Sequence, residues 1–111
     1  MASDELLERI RTISNRNYPS IKDKLSSTDL VFVLKLTDAG SYVITLNNVT
    51  MNIEPGTHPK PLATMTTSTV NLMAILDGQL DGIKAFLQGK MQVQGDVFKT
   101  QILNSLIKGT H

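Results

Sequence analysis

Chemistry at neutral pH usually needs histidine, cysteine or paired carboxylates, and this chain is poor in all three. It has two histidines and no cysteine. His58 sits in the run Pro55-Gly56-Thr57-His58-Pro59-Lys60-Pro61, and His111 is the last residue. Neither has a Cys, Asp or Glu at ligand spacing, so no metal site is expected. Asp77, Asp81 and Asp96 fall where helix ends are expected, and capping accounts for them. Serine and threonine hydroxyls lack a visible base partner. The segment Gly82-Ile83-Lys84-Ala85-Phe86-Leu87-Gln88-Gly89-Lys90 superficially suggests a phosphate loop. That motif needs four residues between its glycines and Ser or Thr after the lysine. Here six intervene and Met91 follows. The segment is also apolar and helical in pattern, so no nucleotide, catalytic residue, metal or cofactor is expected.

The bulk properties point away from other partners too. A chain of 111 residues, 41% hydrophobic and 19% charged, matches one ordinary globular domain. We therefore expect a single domain over residues 1–111. The net charge of +1 and the 5% aromatic content, with no Trp, leave neither a basic footprint nor stacking platforms for nucleic acid. Met1-Ala2-Ser3-Asp4-Glu5 lacks a signal-peptide pattern, and no apolar run approaches a spanning helix. The ending Gly109-Thr110-His111 is not a peroxisomal address. A cytoplasmic location is expected.

Hydrophobic periodicity supplies the elements. Ser3 is placed to cap a first helix carrying Leu6, Leu7, Ile10 and Ile13, with Pro19 interrupting it. One or two further turns follow through Ile21 and Leu25. Leu30, Phe32, Leu34 and Leu36 alternate as a strand, Asp38-Ala39-Gly40 turns, and Tyr42, Ile44 and Leu46 return. Val49, Met51 and Ile53 predict a third strand, and the proline-rich run after it a loop. Leu62-Ala63-Thr64-Met65-Thr66-Thr67 reads as a fourth strand. Ser68 or Thr69 caps a helix with Val70, Leu72, Met73, Ile75 and Leu76, ended by Gly78. Asp81 opens a short helix ended by Gly89. Met91 and Val93 mark a fifth strand, and Asp96 caps a last helix over residues 97–108.

On that last helix Phe98, Ile102, Leu103, Leu106 and Ile107 span about half the circumference, more than the ~100° stripe a core-facing helix needs. Two readings fit the excess: a deep groove or dimer interface, or a lid with one edge on the core and the other on an apolar ligand. Met51, Met65, Met73 and Met91 likewise suit either core filling or a conformable cavity lining.

One resemblance is specific. The runs Leu72-Met73-Ala74-Ile75-Leu76-Asp77-Gly78-Gln79-Leu80 and Ala85-Phe86-Leu87-Gln88-Gly89-Lys90-Met91-Gln92-Val93-Gln94-Gly95-Asp96 closely resemble the signature of the sterol carrier protein-2 (SCP2) domain. Phe32-Val33-Leu34-Lys35-Leu36 is similar to its first strand, Tyr42-Val43-Ile44-Thr45-Leu46 to its second, and Ala63-Thr64-Met65-Thr66 to its fourth. Tyr42 stands where the family often has Trp, and the loop after Leu46 is short. The resemblance implies an α+β fold with a five-stranded, mainly antiparallel sheet, covered on one face by helices over a hydrophobic cavity. It also implies non-enzymatic carriage of sterols, fatty acids or fatty acyl-CoA, without a cofactor.

On this reading the lipid-binding wall is expected at Ile44, Met73, Leu76, Phe86, Met91, Val93, Ile102 and Leu106, closed by the C-terminal helix. The alternative is an interaction, scaffold or dimerisation module of the same fold, accessory to lipid or quinone metabolism. A monomer or weak dimer is expected. Any membrane contact should be transient, since Asp4, Glu5 and Glu8 offset Arg9, Arg11 and Arg16 on the first helix.

Overall fold

The computed structural model describes residues 3–109, with side chains from Glu5 onward. The expected Ser3 cap and His111 therefore lie outside what is described. Helix α1 spans Ser3–Ile21. It lays Leu6, Leu7, Ile10 and Ile13 on the core, the face its spacing predicts. Pro19 does not interrupt it but lies within its last turn. A proline there forfeits one backbone bond, and the chain leaves the helix two residues later, so the usual interior penalty is largely avoided. The Tyr18 hydroxyl, donating to the Asn47 carbonyl at 2.6 Å, ties this end to the sheet. A single 3-10 turn, Lys22–Lys24, replaces the further helical turns expected.

Five strands follow: β1 Leu30–Leu36, β2 Ser41–Leu46, β3 Met51–Pro55, β4 Ala63–Thr67 and, after two helices, β5 Met91–Gly95. Their spatial order is β3-β2-β1-β4-β5. β1 and β2 pair antiparallel, as do β2 and β3 and also β4 and β5; β1 and β4 run parallel. The sheet is thus mainly antiparallel, as expected, with one parallel pairing in its interior. Val49 is not in β3 and is exposed. The Asn47 Oδ1 accepts from the backbone N–H of Val49 and Thr50 at 2.7 and 2.8 Å, which holds those residues in a turn. Pro55 closes β3 opposite Tyr42, tolerated because β3 is an edge strand.

The strand alternation separates the two faces. Phe32, Leu34, Leu36, Tyr42, Ile44, Leu46, Ile53, Ala63, Met65 and Met91 turn inward and are buried beneath the helices. Lys35, Asn52, Glu54, Gln92 and Gln94 are exposed on the other face. Val33 is buried there despite lacking a covering helix, flanked by Val43 and Thr64 on the neighbouring strands.

Helix α2 is Thr69–Leu76, α3 is Gly82–Leu87 and α4 is Thr100–Ile107. Ser68 accepts from the Asn71 N–H at 3.2 Å, and Asp81 accepts from those of Ile83 and Lys84 at 2.7 and 3.4 Å. Gly78 and Gly89 take positive φ values of 79° and 77° just past α2 and α3, as glycine permits. α4 begins later than its sequence suggests. Asp96 accepts from the Lys99 N–H at 3.1 Å through its side chain and from Thr100 at 3.2 Å through its carbonyl, closing residues 97–99 into a turn.

Candidate functional site

A hollow in the packing lies between β5, α3 and the start of α4. Met65 on β4 with Met91 and Val93 on β5 forms its floor. Gly82, Ile83, Phe86 and Leu87 of α3 form one wall, and Val97, Thr100, Gln101 and Asn104 the other. The cavity measures about 220 Å³. No charged side chain lines it. Among the described residues, no cluster of three or more His, Cys, Asp or Glu is placed to hold a metal ion.

Local sequence explains the hollow. α3 has only six residues, and Gly82 and Ala85 are the ones it buries. Two such small side chains bring the helix close to its neighbours but fill little volume. Ile83 and Leu87 project from the same short helix and remain 50% and 76% exposed. The glycine matters for a further reason: a Cβ at Gly82 would overlap the Asn104 side chain. The two helices therefore meet where the sequence has no side chain at all. Gly89 and Lys90 form the corner from α3 to β5. The Lys90 carbonyl accepts there from the Thr67 hydroxyl at 2.9 Å and the Asn71 amide at 3.2 Å.

α4 presents to the cavity a polar edge rather than the apolar one its sequence suggests. Leu103, Leu106 and Ile107 are buried in the core. Thr100, Gln101 and Asn104 follow each other on the cavity side at the spacing of one helical face. The Thr100 hydroxyl is satisfied by donating to the Asp96 carbonyl at 2.9 Å. The Asn104 Oδ1 is buried and has no hydrogen-bond partner. A buried amide oxygen without a donor is costly, so a ligand donor would satisfy it. The end of α4 is fastened: the Asn17 amide donates to the carbonyls of Leu106 and Lys108 at 2.7 and 2.8 Å.

Of the eight wall residues expected from sequence, Phe86, Met91 and Val93 line the cavity. Ile44, Leu76 and Leu106 are fully buried in the solid core. Met73 and Ile102 are partly buried against that core. Met65, one of the four methionines the sequence offers as core filling or cavity lining, also lines it, whereas Gly82, Ile83, Leu87, Val97, Thr100, Gln101 and Asn104 are not among the residues the sequence singles out. Ile83 and Leu87 carried a signal, because a six-residue helix with apolar residues on three sides cannot bury them all. Thr100, Gln101 and Asn104 carried none for a search directed at apolar walls.

Phe98, expected on the last helix, is 82% exposed in the turn before it. With Ile83, Phe86, Leu87 and Val97 it makes a concentration of exposed large apolar side chains around the cavity. Among the described residues the only others are Val49 and Val70. No helix among the described residues is long and apolar enough to cross a membrane.

Comparison with known proteins bears on this arrangement. The model of the SCP-2 sterol transfer family matches residues 9–108. No curated protein sequence matches. Among solved structures, palmitated SCP2L2 of Aedes aegypti is 23% identical with a TM-score of 0.69, covering 100% of both chains. The UbiJ-SCP2 ubiquinone synthesis protein is 13% identical with a TM-score of 0.67, over 95% of this chain and 87% of that one. The sec-alkylsulfatase Pisa1 of Pseudomonas sp. is 24% identical with a TM-score of 0.66 over 81% of this chain. This chain spans only 14% of the sulfatase's length. At these identities the likeness is one of fold.

Proposed function

The chain belongs to the SCP-2 sterol transfer family, and we propose on that premise that it binds and carries a lipid, without chemical conversion, in the cavity between β5, α3 and α4. The observation that carries the reading is the lining itself: apolar on β4, β5 and α3, uncharged throughout, with one unsatisfied amide on α4. Such a site gains affinity from apolar area leaving water, at about 25 cal/mol per Å² before ordering costs. The palmitate on the Aedes aegypti protein is a cargo of matching chemistry. Phe86, Met91 and Val93 contact the ligand in this proposal, while Ile44, Met73, Leu76, Ile102 and Leu106 support the wall from behind.

Size constrains how binding proceeds. Ligand sites usually measure roughly 300–1,000 Å³, and a cavity of roughly 150 Å³ holds benzene. At about 220 Å³ the cavity is too small for a whole long-chain lipid. Something must yield. α4 is a poor choice, since its apolar face is in the core and Asn17 clamps its end. α3 is a better one, because a six-residue helix has little stability of its own and buries only Gly82 and Ala85. We therefore assign the moving part to α3 and the fixed wall to the C-terminal helix.

Native mass spectrometry and a fluorescent fatty-acid titration test the proposal. The expected result is co-purified lipid and saturable binding of one ligand per chain, weakened roughly tenfold or more in Val93→Phe, where added volume fills the cavity floor. An empty protein that binds no probe overturns it.

A further inference from the structure

We propose that the rim of this cavity, formed by α3 and the turn 96–99, is the face that docks on the surface of a bilayer containing anionic lipid. The inference rests on the lipid-carrier reading and adds the partner and the face. Phe98 and Leu87 are 82% and 76% exposed, and Val97 and Ile83 about half. Soluble domains seldom gather that much apolar surface in one place without using it. Leu87, Val97 and Ile83 also line the cavity, so the exposed patch and the interior are one continuous apolar path. A lipid leaving a bilayer along it would never cross water.

Charge identifies the occupant. Lys84 on α3, Lys90 at the corner just after it and Lys99 in the turn are all exposed. The ion pairs found among the described residues, Arg9 with Asp77 and Arg11 with Glu8, engage none of the three. The acidic groups within these segments, Asp81 and Asp96, are turned to backbone N–H groups as caps. Three exposed lysines without an ion-pair partner, close in sequence to the exposed aromatic and aliphatic side chains, match an anionic headgroup layer over hydrocarbon. A second copy of this chain would instead set lysines against lysines.

The first helix, where sequence places three arginines, is not equipped for the task. Its apolar face is in the core. Arg9 is paired with Asp77, and Arg11 donates to the Ile53 carbonyl at 2.7 and 3.1 Å; Arg16 is exposed, but among the described residues no exposed large apolar side chain accompanies it on this helix.

The test is sedimentation of the full chain with phosphatidylcholine vesicles, with and without phosphatidylglycerol. The wild type should partition onto the anionic vesicles and lose binding as salt is raised. Phe98→Glu should weaken partitioning roughly tenfold or more, and each of Lys84→Glu and Lys99→Glu roughly fivefold or more. Val49→Glu, an equally exposed position at the far edge of the sheet, should change nothing. Phe98 does not line the cavity, so Phe98→Glu should bind fluorescent fatty acid in vesicle-free buffer as the wild type does. Equal vesicle binding by the wild type and Phe98→Glu overturns the proposal. So does a Phe98-dependent dimer that ignores vesicles. Saturable ligand binding without vesicle binding refutes the docking face and leaves the cavity reading standing; vesicle binding without cavity ligand does the reverse.

Discussion

Beneath α1 the covered face of the sheet is filled solid, whereas beneath α3 the same face is hollow. The first region brings Leu6, Ile10, Phe32, Ile44 and Ile53 to within 2% of complete burial. The second leaves Phe86 at 39% exposure and Leu87 at 76%. Both regions draw on aliphatic and aromatic residues, so hydrophobicity does not separate them. Helix length and side-chain volume do. α1 has 19 residues and can lay four apolar side chains on the strands along one stripe. α3 has six and buries a glycine and an alanine. One half supplies stability, and the other spends some of it on a place for a ligand.

The largest effect should come from matched truncations. Phe32→Ala removes a ring with no exposed surface and should cost about 3–5 kcal/mol of unfolding free energy. Phe86→Ala removes one already wetted and should cost about 1 kcal/mol, while weakening the fluorescent fatty acid clearly. Urea denaturation of both variants measures the difference. Equal losses would mean that the halves are packed alike and that the hollow is not a distinct region.

Backbone contacts sharpen the comparison at the next level. Gly95 ends β5 at a φ of 99°, and a Cβ there would stand 2.6 Å from the Leu62 carbonyl oxygen. Gly95→Ala should cost about 1–3 kcal/mol for its backbone conformation alone. In Gly82→Ala the new methyl meets only the end of the Asn104 side chain, which can rotate away. Its cost should stay within about 1 kcal/mol. The hollow half would then have a rigid frame and a compliant filling.

Much of this frame was legible in the sequence, because its signals are local. Alternation marks β1 and β2, Ser68 and Asp81 cap the helices they precede, and Gly78 and Gly89 end them. The sequence misleads where a local signal meets a competing one. Pro19 reads as a helix stop, yet near the end of α1 it costs a single bond. Val49 fits the alternation of β3, but Asn47 captures the two N–H groups it would need. The site was legible only in part for a different reason. Phe86, Met91 and Val93 are apolar and lie in the motif, so a search for apolar walls finds them. Thr100, Gln101 and Asn104 reach the cavity through the placement of α4 against α3, a tertiary fact with no pattern along the chain.

Among the described residues two buried side-chain oxygens lack partners, one in each half, and they provide a subtler contrast. Ser14 Oγ lies in the solid half, and Asn104 Oδ1 borders the hollow one. Replacing either by an apolar side chain should be neutral or raise stability by about 1 kcal/mol, since an unpaired polar atom is removed. Only Asn104→Leu should also change the cargo. It should weaken a hydroxyl-bearing lipid relative to one with no donor, in a competition read by native mass spectrometry. If Ser14→Ala shifts that competition equally, the two halves are not separable in function.

The smallest effect belongs to the seam between the halves, where α2 leaves β4. The Thr69 backbone N–H and hydroxyl donate to Asp38 Oδ1 at 2.9 and 2.8 Å, tying the start of α2 to the β1–β2 turn. These bonds, the backbone one foremost, favour the carboxylate and hold Asp38 below the ordinary value of an aspartic acid. A lowered folded-state value means that the unfolded chain takes up the proton first as acid is added. The stabilisation is therefore complete above the ordinary carboxylate value and disappears as pH falls through the lowered one. Asp38→Asn should lower the melting temperature slightly at neutral pH and not at all in strong acid, where the wild type has lost the same negative charge. Asp38 is fully solvated, so the difference should be small and should shrink with salt. A gap between the two proteins that persists unchanged into acid would show that the tether acts through its hydrogen-bond geometry and not through its charge.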